Sequence, residues 1–439
     1  MEEKTGGGMK AKKHLKTTQE ASQIIKQYYA EQQEKAKKEG LPVAWCCIAA
    51  PRDIMQALDI QAFYPEQYAS YLASRDYTMR FIEHAQSAGY ANELCGYARA
   101  ILGYIMDGLP PDVPAGGMAR PDFLIITSAV CDNRVKWFEE MADMFNAPLY
   151  LMEFAEMPPE TRQGASSGEE VMMMVQIGRQ DAPHLFEYTV KQYQGLVHFL
   201  EEQTGRKLDQ DKLREIRARS REVGKLRREI NEYRKAIPTP MGAADGYTAM
   251  FPGTYLPGTK IADEFYAKLR EEVKYRLDNK IGIVPEEKFR LAWSGIPFWY
   301  NMGLINYFED YGGVVVIDTQ YGAAGQTIDT ESPRRPKRWG MNRMVASVVR
   351  AVIDYSLDGV VLSYTPTCRA LYINQLEIKN TLEEELGVPA LLLESDMVDP
   401  SSYNEAETMM KVDAFIEQVT EKAKHRDWLQ EERLKRLQT

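Results

Sequence analysis

Five cysteines are the residues of this chain whose type and spacing could support metal or redox chemistry. They are Cys46, Cys47, Cys95, Cys131 and Cys368. An odd and sparse set is a poor framework for disulfides, so we expect free thiols or metal ligands. The sequence has neither the CxxC pairs of a zinc site nor the four-cysteine run of a bacterial ferredoxin. The fold, and not a local loop, must therefore bring any ligands together.

Three of the cysteines stand near predicted helix starts. Cys95 precedes the helical pattern GYARAIL, Cys131 follows the apolar run PDFLIITS, and Cys368 follows DGVVLSY. The last two thus lie beyond the carboxyl ends of predicted parallel strands, where open α/β sheets place ligands. Helix N-termini carry partial positive charge and favour thiolates, the form that iron and zinc bind. The alternative for each cysteine is a small buried hydrophobic residue.

Other catalytic patterns are missing from the sequence. It contains no GxxxxGK[ST] loop for nucleotide phosphates, no GxGxxG and no HExxH. The five histidines are distant from the cysteines in sequence, and no Ser-His-Asp set can be assembled. We therefore expect this chain itself not to bind ATP through a P-loop.

The elements that must hold the cysteines alternate between strand and helix in two stretches. The apolar runs VAWCCIAA, PDFLIITS and APLYLMEF are predicted strands of the first stretch, and FRLAWSGIPF, GGVVVIDT, DGVVLSY and PALLLES are those of the second. Predicted helices lie near 52–59, 66–88, 92–107, 131–145, 299–310, 340–356, 369–386 and 404–424. Strand, helix and strand joined by short connections predict parallel sheets.

The order of these patterns predicts an α/β fold with four segments. Residues 1–40 form a solvated N-terminal helical arm, and 41–160 form an α/β domain with Cys46, Cys47, Cys95 and Cys131. Residues 161–255 form a helical insert, whose basic run alternates with acids and indicates a solvated helix face. Residues 256–439 form a second α/β domain that contains Cys368.

Charge and hydropathy argue against two classes of partner. The 54 basic and 64 acidic residues give a net charge of −10, which disfavours nucleic acid. No apolar run approaches the roughly 18 residues of a membrane span. The N-terminus lacks the apolar stretch of a signal peptide. We therefore expect a cytoplasmic protein with no nucleic-acid or membrane partner.

Five segments carry a family pattern: VAWCCIAAPRDIMQALDIQAFYPEQYAS, GYANELCGYARAILG, PDFLIITSAVCDNRVKWFEEMADMFNAPLYLME, WSGIPFW, and the stretch from DGVVLSY to PSSYNEAE. The strongest marks are CGYAR around Cys95, the Cys131-x(5)-Trp137 helix start, and Cys368 before Gln375 with ESDMVDP downstream. With these segments the chain resembles the 2-hydroxyacyl-CoA dehydratase / benzoyl-CoA reductase family over residues 40–420.

The resemblance implies a subunit with two Rossmann-like parallel-sheet domains that binds a [4Fe–4S] cluster through Cys95, Cys131 and Cys368. It also implies a homologous second cluster-binding subunit, ATP-hydrolysing activator subunits and a ferredoxin or similar donor. ATP would enter only through the activator. Cys46 and Cys47 would supply a fourth or alternative ligand or line the cluster cavity, and Glu66 of the YPE segment would stand near the site as the candidate catalytic carboxylate.

Within the family, this sequence departs from the dehydratase pattern. It has WCCI at 45–48 where the dehydratases have Trp-Ser-Ser/Thr-Ser, and Phe298 where they have a cysteine in GIPCW. It also reads TPTC before the last ligand and SDMVDPS in place of a GDQADPR-like stretch. The loss of a polar, arginine-bearing pocket favours an aromatic ring over a hydroxylated chain.

We therefore expect an iron–sulfur subunit of an anaerobic, ATP-dependent benzoyl-CoA reductase. The enzyme would reduce the ring of benzoyl-CoA, or of a related aryl-CoA, to a cyclic dienoyl-CoA by low-potential single-electron transfer. One alternative is a subunit of a 2-hydroxyacyl-CoA dehydratase that works through a ketyl radical. The others are a non-catalytic electron-relay subunit and, more weakly, a zinc-binding structural subunit.

Overall fold

A computed structural model describes residues 8–129, 131–154, 183–321, 343–427 and 430–431. The chain divides into two compact units, each containing one sheet. We call residues 21–225 with 251–265 the first-sheet unit, and residues 1–20 with 226–250 and 266–439 the second-sheet unit.

The first-sheet unit is built on four parallel strands in the order β2-β1-β3-β4. The strands are β1 Val43–Cys46, β2 Gln61–Phe63, β3 Phe123–Thr127 and β4 Leu149–Met152. Every residue of β1, β2 and β3 is buried, as expected for a parallel sheet that is covered on both faces. The edge strand β4 is largely half-buried.

Helices precede, connect and follow these strands as far as residue 278. In chain order they are α1 Lys16–Glu39, α2 Arg52–Ala57, α3 Pro65–Ala73, α4 Thr78–Ser87, α5 Gly96–Met106, α6 Asp132–Phe145, α7 Pro183–Thr204, α8 Gln210–Tyr233, α9 Ala243–Tyr255 and α10 Lys260–Asp278. Helices α1, α8, α9 and α10 each contribute residues to both units.

The second-sheet unit repeats the topology of the first. Its strands β5 Phe289–Ser294, β6 Gly313–Asp318, β7 Gly359–Tyr364 and β8 Ala390–Glu394 are parallel and lie in the order β6-β5-β7-β8. The helices are α11 Leu304–Tyr307, α12 Arg343–Asp354, α13 Arg369–Tyr372, α14 Gln375–Asn380 and α15 Glu405–Ala423. Both sheets thus place their first strand between the second and the third.

Apolar side chains of the strands, of α12, and of α14 with the turn that follows it form a core cluster of the second-sheet unit. Val316, Val352, Val360 and Leu382 are among its fully buried members. The continuous apolar runs of the sequence are therefore explained, because strands buried on both faces do not alternate with polar residues. The predicted α/β fold with two parallel-sheet domains is confirmed.

Some local predictions differ from the structure. The strand β2 is absent from the sequence-based prediction, since three residues are too few to show a pattern. The helix predicted at 66–88 is two helices, α3 and α4, separated by a turn in which Asp76 has a φ of +64°. The first three residues of the helix predicted at 340–356 lie outside the described ranges.

Helix α1 is not the wholly solvated arm that its composition indicated. Tyr29 is fully buried in the first-sheet unit, where its ring lies 5.2 Å from the ring of Tyr68 and its hydroxyl donates to Gln67. The helix is amphipathic: aromatic residues of one face pack against the first-sheet unit, although the other face carries many charged residues. Within the described ranges, no helix combines the length and the apolar character needed to cross a membrane.

A buried carboxylate anchors the amino ends of the central strands of the second sheet. Asp358, which is 1% exposed, accepts the backbone N–H of Arg290 at 2.8 Å. It also accepts Nε of Arg426 at 3.0 Å. One residue therefore ties the start of β5 and the start of β7 to the segment after α15.

We predict that Asp358→Ala lowers the free energy of unfolding by about 3–5 kcal/mol, because it leaves a largely buried guanidinium without its carboxylate. Urea denaturation followed by circular dichroism measures the loss. Asp278→Ala, which removes an exposed pair with Lys274, is the control and should cost about 0.5 kcal/mol or less. Equal losses in the two variants would contradict this assignment.

Candidate functional site

The cysteines lie at the carboxyl edges of the two sheets and at helix starts. Cys131 is the fourth residue after the end of β3, and Cys368 is the fourth residue after the end of β7. Cys95, Cys131 and Cys368 are the N-cap residues of α5, α6 and α13. The predicted placement of three cysteines at helix starts is therefore confirmed, with two of them at equivalent positions of two similar sheets.

Solvent exposure separates the same three cysteines from the other two. Cys95, Cys131 and Cys368 are half-buried cysteines outside any disulfide, whereas Cys46 and Cys47 at the end of β1 are fully buried. The exposure pattern therefore agrees with the three-and-two division of the cysteines.

The adjacent residues Cys46 and Cys47 face different neighbours. The sulfur of Cys46 lies 3.1 Å from the sulfur of Met55 in α2, and burial raises the pKa of this thiol well above its usual value. The sulfur of Cys47 lies 3.7 Å from Oγ1 of Thr127, the last residue of β3. Cys46 is thus packed as a core residue, while Cys47 faces the edge that carries Cys131.

An ion pair between Glu66 and Arg134 lies at this edge. Glu66 is in the first turn of α3, where Pro65 occupies the first helical position. One of its oxygens lies 2.7 Å from Nε of Arg134, and the other accepts the backbone N–H of Ile48 at 2.8 Å. Glu66 therefore joins the loop after β1 to the start of α6, through a hydrogen bond from Ile48 and an ion pair with Arg134.

Arg134 lies almost entirely inside the protein, with 6% of its side chain exposed. Burial by itself lowers the pKa of this guanidinium, but the charge of Glu66 and the neighbouring sulfur of Cys47 outweigh burial and raise it. The side chain is therefore a permanent positive charge. Among the described residues, Nη1 of Arg134 has no hydrogen-bond partner.

Cys131 experiences two opposing influences. Burial raises the pKa of its thiol, whereas the charge and the backbone N–H of Arg134 act to lower it. Burial outweighs Arg134 and the pKa of Cys131 is raised, so the helix start by itself does not favour the expected thiolate. A half-buried thiol with a cationic neighbour fits an iron–sulfur ligand, because a bound metal deprotonates the thiol and the guanidinium compensates the anionic product.

No group of three His, Cys, Asp or Glu side chains within the described ranges is close enough together to hold a metal ion. Cys95 and Cys131 belong to the first-sheet unit, and Cys368 belongs to the second-sheet unit. The three residues are therefore alike in local position and exposure. Their joint ligation of one cluster stays a prediction.

The loops of the second sheet are held by a turn at ESDMVDP. Oδ1 of Asp396 accepts the backbone N–H groups of Val398 and Asp399 at 2.9 and 3.0 Å, and its other oxygen accepts the hydroxyl of Thr367. Asp396 thereby fixes the residue that precedes Cys368. Phe298, which stands where the dehydratase pattern has a cysteine, is 1% exposed and packs against the ring of Trp293.

Arg134 and Thr127 are site residues that the sequence did not single out. Arg134 follows Cys131 by three residues, which places it in the first turn of the same helix. A cation in the first turn opposes the helix dipole, and that conflict is a signal that sequence reasoning can use. Its partner Glu66 belongs to a distant helix, so the pairing itself requires the fold.

Comparison with known proteins identifies the family. Residues 47–419 match the sequence model of the family described as 2-hydroxyglutaryl-CoA dehydratase, D-component. The chain belongs to this family, whose relatives include subunits of 2-hydroxyacyl-CoA dehydratases and of benzoyl-CoA reductase.

Three relatives show the range of the family. The chain is 25% identical to the (R)-phenyllactyl-CoA dehydratase alpha subunit of Clostridium sporogenes, over 87% of this chain and 91% of the relative. It is 26% identical to the (R)-2-hydroxyisocaproyl-CoA dehydratase alpha subunit of Clostridioides difficile, over 92% and 97%. It is 25% identical to a benzoyl-CoA reductase subunit of Thauera aromatica, over 84% and 87%. These proteins are enzymes or enzyme subunits that act on acyl-CoA thioesters.

We predict that Glu66→Ala lowers the free energy of unfolding by about 3–5 kcal/mol, since it leaves the buried charge of Arg134 uncompensated. Urea denaturation of the purified chain measures the change. Glu83→Ala removes an exposed carboxylate from α4 and should change the stability by no more than about 0.5 kcal/mol. A loss no larger than that of the control would mean that the ion pair does not stabilise the fold.

Proposed function

We propose that this chain is the cluster-binding subunit of an ATP-dependent aryl-CoA reductase of the benzoyl-CoA reductase type. The observation that carries the proposal is the environment of Cys47. A fully buried thiol lies between Thr127 and Arg134, in the segment where the dehydratase pattern has hydroxyl side chains. A thiol is a weak hydrogen-bond donor, so this position is poorly suited to hold a substrate hydroxyl or a departing water.

In this proposal Cys95, Cys131 and Cys368 are the ligands of a [4Fe–4S] cluster. Their common N-cap position and half-buried thiols support the assignment. Such a cluster would supply single electrons, at the low end of a range of roughly −700 to +450 mV. Of the two remaining cysteines, Cys47 is the candidate for an additional ligand or a cavity-lining thiol, because Cys46 is packed against Met55.

Glu66 acts in this proposal by orienting its neighbours. A proton donor needs a protonated oxygen directed at the substrate. One oxygen of Glu66 instead accepts the backbone N–H of Ile48, and the other lies in an ion pair with Arg134. We therefore assign Glu66 to holding the loop after β1 and the guanidinium in place, and the ring protons come from another group.

The partners follow from the same proposal. The relatives are named as subunits of larger enzymes, which supports a complex with a homologous second cluster-binding subunit. ATP-hydrolysing activator subunits and a ferredoxin or similar donor would deliver the electrons. The substrate would be benzoyl-CoA or a related aryl-CoA. The absence of a P-loop sequence from this chain agrees with ATP binding in a partner.

A second candidate function is compatible with the comparisons. Two of the three relatives described above are dehydratase subunits, and one of them is named for an aromatic hydroxyacyl-CoA, phenyllactyl-CoA. A 2-hydroxyacyl-CoA dehydratase subunit therefore stands as the alternative. It differs from the first candidate in that the substrate loses water and gains no electrons overall.

We predict that the anaerobic complex converts benzoyl-CoA to a cyclic dienoyl-CoA when activator, ATP and a reduced donor are present. Product analysis by liquid chromatography and mass spectrometry checks this result. Omission of ATP is the control and should abolish product formation. Loss of water from a 2-hydroxyacyl-CoA without any dienoyl product would overturn the reductase assignment in favour of the dehydratase.

We also predict that Cys131→Ala removes the cluster of this subunit, whereas Cys46→Ala retains it. Iron and acid-labile sulfide should be about four each for one [4Fe–4S] cluster in the wild-type chain. Cys46→Ala is the matched control, because it deletes a buried thiol that contacts Met55. Zinc without sulfide in the wild-type chain, or unchanged iron in Cys131→Ala, would contradict the ligand assignment.

A further inference from the structure

Arg134 occupies an electrostatically unfavourable position. It lies in the first turn of α6, where the helix dipole disfavours a cation, and its side chain is almost completely buried. A buried Arg–Glu pair contributes little stability compared with apolar residues of the same volume. The position therefore calls for a reason other than folding.

Other buried arginines of this chain have backbone acceptors. Nε of Arg99 donates to the carbonyl of Leu94 at 3.0 Å, and Nε of Arg234 donates to the carbonyl of Val316 at 3.1 Å. Arg134 instead faces a carboxylate and a sulfur, and among the described residues neither its Nε, which lies in the ion pair with Glu66, nor its Nη1 makes a hydrogen bond. Its positive charge is thus directed at the edge of the sheet where the thiols lie.

The surroundings of Arg134 hold it in a fixed orientation. Trp137 and Phe138 of the same helix are buried, which anchors α6 against the sheet. Glu66 is held in turn by the backbone N–H of Ile48. The distance between the charge and the Cys131 sulfur is therefore set by packed elements and not by a mobile surface side chain.

We propose that Arg134 is a positioning residue that fixes the positions of Cys131 and Glu66 relative to each other. Through its fixed charge, it also sets the reduction potential of the cluster. This inference rests on the proposed function, since it requires the cluster. Reduction adds negative charge to the site, so a nearby cation stabilises the reduced state and raises the potential. The negative charge of Glu66 lowers the reduction potential, so the two charges together determine its value.

A redox titration followed by electron paramagnetic resonance tests this inference in the purified complex with an unchanged partner subunit. We expect Arg134→Gln to shift the midpoint potential of this subunit to more negative values, and Glu66→Gln to shift it to more positive values. The double variant should return toward the wild type, and Arg134→Lys, which keeps the charge, should stay near it. Residues that act only on packing would not give shifts of opposite sign.

A matched control comes from the second-sheet unit. Arg290 is also a buried arginine, and it pairs with Glu287. Arg290→Lys should lower the melting temperature and leave the potential of the cluster unchanged. A potential shift in this control as large as that in Arg134→Gln would overturn the inference, because the shift would then report general loosening of the fold.

The remaining outcomes separate the inference from the proposed function. An intact cluster with an unchanged potential in Arg134→Gln overturns the inference and leaves the function standing. A wild-type chain without iron and sulfide overturns both. If Arg134→Gln fails to assemble the cluster, the variants Glu66→Gln and Arg134→Lys decide. A more positive midpoint potential in Glu66→Gln, together with a wild-type potential in Arg134→Lys, supports the inference. Any other pattern overturns it.

Discussion

The reversal of strand order within each parallel sheet is the constraint on which the rest of the structure depends. In the first sheet β1 lies between β2 and β3, so the connections that leave β1 and β3 run to opposite sides. In open α/β sheets, ligands bind beyond the carboxyl ends of the strands at such a reversal of strand order. Cys47 follows β1, and Thr127 ends β3 at the same edge. The site residues meet there because the topology leaves that edge uncovered by a direct connection.

The second sheet uses the same topology with different side chains. Cys368 follows β7 at the same distance as Cys131 follows β3. The residue after β5 is Gly295, with a φ of +99°, whereas the residue after β1 is Cys47. A side chain at Gly295 would lie 2.7 Å from the carbonyl oxygen of Ser363 and would be strained. The first-sheet unit therefore has a thiol and an ion pair at the edge of its sheet. At the corresponding edge of the second-sheet unit, the backbone of Gly295 lies close to the backbone of Ser363.

Much of this architecture could be predicted from the sequence, because buried parallel strands leave continuous apolar runs and cysteines after them mark the carboxyl edge. The three-residue strand β2 and the break near Asp76 could not, since both are too local for a periodic pattern. Alternation along β1 does predict that Cys46 and Cys47 face opposite ways. Which of them faces the site depends on how the helices cover the sheet. The pairing of Glu66 with Arg134 likewise depends on the packing of distant helices.

The polar groups of the first-sheet edge bear on the choice between the two chemistries of the family. Glu66 and Arg134 engage one another, and Cys47 has a hydroxyl neighbour only at 3.7 Å. A dehydratase must bind a hydroxyl and release water, and a buried polar group without partners is costly. The proposed reductase would instead have to stabilise added charge on an apolar ring, for which one fixed cation at this edge is better suited. In the proposed reductase, the ion pair would supply the electrostatic control that low-potential electron transfer requires.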